Sequence, residues 1–141
     1  MAGAAFFDLD RTLIRGASGR AFSATMRAEG VLGAPVPGEA VFFGIFDRFG
    51  ENLPAMLLAR QAASLARGKD RAAVQRAALA AVPALDEMLQ PYARGVIDSH
   101  RSVGRPVVLA TTSPVDLVEP FAHHLGLDAV LATRYGVERG A

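Results

Sequence analysis

Two short apolar runs, each stopping abruptly at polar residues, constrain this chain more than any other feature. Ala4-Ala5-Phe6-Phe7 meets Asp8-Leu9-Asp10, and Pro106-Val107-Val108-Leu109-Ala110 meets Thr111-Thr112-Ser113. Runs of this length without polar alternation fit strands buried on both faces, as in a parallel sheet. A third strand candidate spans residues 128–133. The segments around the second and third strands have helical patterning. A helix over 92–103 ends at Gly104, and another runs from Ser113-Pro114-Val115-Asp116 to about Leu125, before Gly126. In that second helix Ser113 is expected at the cap and Pro114 at the first helical position. Strands linked by helices imply an α/β fold with a doubly wound, Rossmann-like parallel sheet.

The first two strands are much farther apart than a crossover requires, which is only about a dozen residues. A helix is expected over 21–29, stopped by Gly30, followed by a Gly- and Pro-rich loop over 31–38. From 39 to 67, Phe42, Ile45, Phe46 and Phe49, then Leu57, Leu58, Ala62 and Leu65, follow helical spacing. Pro54 divides that stretch, with Asn52 as a cap, and Asp70 opens a further helix that runs through Val82 or beyond. Residues 17–88 therefore read as an inserted helical cap, and residues 1–16 and 89–141 as the α/β core.

Composition narrows the function. Fifteen Lys+Arg against fourteen Asp+Glu leave a net charge of +1, which excludes a protein bound to nucleic acid mainly through phosphates. The chain has no cysteine, so disulfides, thiol catalysis and Cys-based zinc sites are excluded together. No apolar run approaches the roughly 20 residues of a membrane span. Asp8, Asp10 and Arg11 interrupt the first run where a secretory segment would continue, so the cytoplasm is the expected location.

In open parallel sheets, ligands bind beyond the carboxyl ends of the strands. Asp8-Leu9-Asp10-Arg11-Thr12 follows the first strand and Thr111-Thr112-Ser113 the second. An Asp-x-Asp spacing in extended chain points both carboxylates to one side. Two such charges call for a cation, and hard oxygen donors suit Mg²⁺, with Asp8 and Asp10 as its ligands. Thr111, Thr112 and the helix that follows can hold a phosphoryl oxygen, as can Thr12. Together these residues can run a phosphoryl transfer, with Asp8 as nucleophile and Asp10 as general acid and base. His123 and His124 are adjacent on a helix, lack the spacing of a paired metal site, and read as surface residues.

Phe6-Phe7-Asp8-Leu9-Asp10-Arg11-Thr12-Leu13 resembles the first signature of the haloacid dehalogenase (HAD) superfamily, hhhhDxDxT, and Val107-Val108-Leu109-Ala110-Thr111 resembles its second. The helical insert and the string Thr111-Thr112-Ser113-Pro114 are similar to the phosphoserine-phosphatase-like branch with a C1-type cap. The resemblance implies a Mg²⁺-dependent phosphomonoester hydrolase working through an aspartyl-phosphate on a small phosphorylated metabolite. It also implies that Mg²⁺ takes the Asp8 carboxylate and the Asp10 main-chain carbonyl. The family's downstream lysine and later acidic pair have no counterpart after Thr111, since Lys69 is the only lysine. The expectation is therefore a C-terminally truncated member with an incomplete sheet, whose open edge invites self-association. The alternative is a non-catalytic fragment that binds phosphate or a protein partner without turnover.

Overall fold

The computed structural model describes residues 3–34, 37, 38, 41 and 68–136. The helices expected within 39–67, with Pro54 and Asn52, lie almost wholly outside the described residues. Three parallel strands form one sheet in the order β1 (Ala5–Phe7), β2 (Val107–Pro114), β3 (Ala129–Thr133). Ala5, Phe6 and Phe7 pair with Val107, Val108 and Leu109, and Val108, Leu109 and Ala110 pair with Ala129, Val130 and Leu131. Among the described residues, the α-helices are α1 (Gly19–Ala28), α2 (Arg71–Glu87), α3 (Ala93–Ser102) and α4 (Val115–His124).

Local chemistry sets the helix ends. Gly104 and Gly126 both take positive φ, at 70° and 67°. After α3 the Gly104 and Arg105 amides donate to the carbonyls of Arg101 and His100. After α4 the Gly126 and Leu127 amides donate to those of His123 and Ala122. Each is the paired closure that a left-handed residue allows and that glycine reaches without a Cβ penalty. At the start of α2 the Ala72 amide donates to Asp70 Oδ1 at 3.1 Å, so Asp70 satisfies one of the orphan donors of the first turn. Asp70→Ala is expected to cost about 1 kcal/mol, read as a lowered urea midpoint with an unchanged slope.

One face of the sheet packs into the core. Val107 and Leu109 of β2 join Leu117, Val118, Phe121 and Ala122 of α4, Ala78, Ala81 and Leu85 of α2, Phe22 of α1, and Ala93 and Ile97 of α3. Leu9, Leu13 and Ile14, from the turn after β1, are fully buried in the same cluster. The described parts of residues 17–88 thus share one apolar cluster with the sheet.

Two expectations need correction. The first strand is not buried on both faces, since Phe6 is 60% exposed; in the third strand Leu131 is likewise 58% exposed. Both strands lie at edges of the three-stranded sheet, and these side chains alternate away from the face that meets the helices. Nor does Ser113 cap a helix. β2 continues through Thr111, Thr112 and Ser113 to Pro114, which pairs with Thr133 after a register shift, and Pro114 itself takes the cap position of α4. The extra pairing with β3 keeps the polar triplet extended, and Thr133 Oγ1 donates to the Thr112 carbonyl at 2.8 Å.

Candidate active site

β1 ends at Phe7, and the chain immediately makes one wide turn over Leu9–Leu13, closed by the Ile14 amide donating to the Leu9 carbonyl at 3.2 Å. The turn is made by Asp10 in extended geometry followed by Arg11 at φ 55°, ψ 14°. Left-handed geometry is sterically disfavoured for a residue carrying a Cβ. Asp8 and Asp10 both keep extended backbone geometry, on either side of Leu9 at the start of this turn. Asp8 stands at the strand end, exposed, with its Oδ1 accepting from the Leu9 amide at 2.8 Å. Asp10 is half-buried, and its Oδ1 accepts from the Ser18 amide at 2.9 Å.

The two carboxyl groups therefore sit in different environments. Burial pushes the Asp10 carboxyl above the usual carboxylate range. Hydrogen bonds from the Ser18 backbone and side chain oppose the rise, and the charge of Asp8 adds to it. Ser18, only 2% exposed, joins the start of α1 to this carboxyl, a role that its place in the sequence does not announce. Its signal was faint: a hydroxyl residue just before a helix reads first as a cap, yet Ser18 makes no side-chain cap bond.

An open cleft of about 270 Å³ is lined by Asp8, Ala110, Thr111 and Thr112. The structure thus brings the expected nucleophile together with two of the expected phosphate ligands, from the ends of neighbouring strands. The Ser113 amide donates to Thr111 Oγ1 at 3.2 Å, which occupies an acceptor site on that oxygen and leaves its O–H to point elsewhere. Neither Asp10 nor Thr12 is among the residues lining the cleft, and the Thr12 carbonyl accepts from the Tyr92 hydroxyl. A larger groove of about 380 Å³ between α2 and α4 is lined by Gln75, Leu79, Asp116, Glu119, Pro120 and His123, and contains none of the candidate residues. Among the described residues, no group of three or more His, Cys, Asp or Glu is placed to hold a metal ion.

This geometry can be set against known proteins. The family profile described as haloacid dehalogenase-like hydrolase matches residues 5–141. The chain belongs to that family. Over 137 residues, this HAD chain is 34% identical to the "Inhibition of morphological differentiation protein" of Streptomyces azureus, covering 93% of this chain and 48% of that one. Over 147 residues it is 33% identical to a probable phosphatase of Mycobacterium tuberculosis, covering 97% and 49%. The HAD chain therefore spans about half the length of the curated relatives it matches.

Among solved structures, its fold is similar to a phospho-aspartyl intermediate analogue of phosphoserine phosphatase. The TM-score is 0.56 at 20% identity, over 99% of this chain and 59% of that one. It is also similar to a phosphoserine phosphohydrolase-like protein from Francisella tularensis, with a TM-score of 0.55 at 14% identity, over 94% and 58%. The three-stranded parallel sheet with flanking helices is thus a HAD-type, Rossmann-like fold. Among the described residues, no helix is long and apolar enough to cross a membrane.

Proposed function

We propose that the cleft at Asp8, Thr111 and Thr112 is the phosphoryl-transfer site of a phosphomonoester hydrolase acting on a small phosphorylated metabolite. The observation that carries this reading is the meeting of an exposed carboxylate and two threonines, about a hundred residues apart in sequence, at the ends of paired strands β1 and β2. An Asp8 carboxylate oxygen attacks phosphorus as the ester P–O bond breaks. The leaving alcohol takes a proton from Asp10, whose burial shifts its carboxyl toward the protonated form. Water then attacks the phosphorus of the aspartyl-phosphate, gives its proton to Asp10, and releases inorganic phosphate and free Asp8. Thr111 and Thr112 hold phosphoryl oxygens through the attack.

The donors present fit Mg²⁺, a hard cation that takes one or two carboxylates and keeps several waters. The Asp8 carboxylate faces the open cleft. The Asp10 main-chain carbonyl is the second oxygen we assign to the ion, as the family resemblance implies, while the Asp10 carboxyl accepts from the Ser18 amide. Bound there, Mg²⁺ would neutralise charge on the phosphate and on the attacking carboxylate. Thr12, in this reading, supports the turn and does not touch phosphate. The division into a core of 1–16 and 89–141 and a helical cap of 17–88 belongs to the same proposal. It is supported by α1 and α2 falling between the two strands that carry the site.

The test is hydrolysis of p-nitrophenyl phosphate by the full natural chain, with and without Mg²⁺. Turnover that EDTA abolishes and Mg²⁺ restores is the expected result. Saturable binding of inorganic phosphate with no turnover would favour the alternative, a phosphate-binding chain without catalysis.

A further inference from the structure

The segment joining α2 to α3 grips the turn that carries Asp10. The Arg15 amide donates to the Met88 carbonyl and the Gln90 amide to the Leu13 carbonyl, both at 2.8 Å. Ile14 and Leu89 form an antiparallel bridge between these contacts, and the Arg15 guanidinium donates to the Glu87 carbonyl at 2.7 Å. A further contact comes from Tyr92, whose hydroxyl donates to the Thr12 carbonyl at 2.5 Å, across 80 positions of sequence. Thr12 directly follows Arg11, the only described residue other than glycine with positive φ. A backbone in so sparsely populated a region persists only where its surroundings over-determine it.

The main-chain bonds of this grip fix residues 13–15. Tyr92 reaches nearer the strained peptide and Asp10, and it does so from the start of α3, next to the sheet. We propose that Tyr92 is a positioning residue: its hydroxyl fixes the Thr12 peptide and so sets where the Asp10 carboxyl stands relative to Asp8. The proposal rests on the phosphatase reading for its functional consequence, and on the hydrogen bond alone for its structural one. Tyr92 touches neither substrate nor reacting atoms. It acts through the backbone.

Tyr92→Phe in the full natural chain removes the hydroxyl and keeps the ring. On p-nitrophenyl phosphate with Mg²⁺, kcat is expected to fall about tenfold, less than a full ångström of misplacement costs. KM should stay within about twofold and the urea midpoint should hardly move, because the side chain is 50% exposed. An unchanged kcat overturns the proposal. So does a loss of kcat that tracks a lowered urea midpoint, since that marks a structural role only. If the wild-type chain hydrolyses no phosphate ester, the phosphatase reading fails separately, and amide exchange decides the role of Tyr92. The Arg11 and Ile14 amides, which donate to Gly16 and Leu9, should then exchange about tenfold faster in Tyr92→Phe. Equal exchange rates overturn it.

Discussion

Asp8→Asn is expected to abolish phosphatase turnover, lowering kcat by at least about 10⁴-fold while the chain stays folded. The amide that replaces the carboxylate is neutral and a poor nucleophile, so the first P–O bond to the enzyme does not form. Its oxygen can still accept from the Leu9 amide, which in the native chain donates to Asp8 Oδ1 at 2.8 Å, so the turn keeps its shape. The side chain is exposed at the cleft, and no core packing is lost. The informative comparison is Asp10→Asn. That variant retains the proposed nucleophile but lacks the group we propose to hand a proton to the leaving alcohol and take one from water. With an activated aryl ester, whose leaving group needs little protonation, Asp10→Asn should accumulate covalently bound phosphate. Asp8→Asn should show none. Labelled phosphate retained on the denatured chain reads both. Wild-type turnover in Asp8→Asn would overturn the assignment of the nucleophile.

The parts of the fold legible in the sequence are those fixed by a few adjacent residues. The apolar runs at Phe6-Phe7 and Val107–Leu109 are strands, Gly104 and Gly126 close their helices, and Asp70 caps α2, because each outcome depends on chemistry within a turn or two. What escaped the sequence depends on partners far along the chain. Thr111–Ser113 look like the polar end of a strand, and only pairing with β3, up to Pro114 opposite Thr133, keeps them extended. The same holds for burial. Phe6 reads as core until the sheet order places β1 at an edge.

At the candidate site, Asp8, Thr111 and Thr112 could be singled out because strand ends in a parallel sheet gather there. The turn at Asp10 and Arg11 could not. Nothing in Asp-Arg-Thr marks a left-handed arginine, and the contacts around it come from Tyr92, Gln90 and Met88, far along the chain. Ser18 is the intermediate case. Its hydroxyl signals a helix start, but its amide serves Asp10.

The largest loss of stability is expected at Phe121, which is fully buried on α4 among residues of α2 and β2. Its ring stacks on His124 with centroids 6.1 Å apart, and His124 Nε2 lies 2.9 Å from Asp86 Oδ1 on α2. Phe121→Ala removes the largest fully buried side chain among the described residues from the place where these helices meet, so lost transfer free energy and the cavity left behind both count. The expected cost is about 3–5 kcal/mol, a large share of the roughly 5–15 kcal/mol that holds a domain of this size folded. Phe121→Leu, which keeps most of the volume, should cost clearly less. Urea unfolding followed by circular dichroism measures both, and a midpoint within error of wild type for the alanine variant would contradict the described core. The consequence for the site is indirect. α4 begins at Val115, one residue beyond the Pro114 that ends β2, so loosening its seat frees the segment carrying Thr111 and Thr112. Per folded molecule, activity should therefore fall in Phe121→Ala, but far less than in Asp8→Asn, because the proposed nucleophile and its strand remain in place.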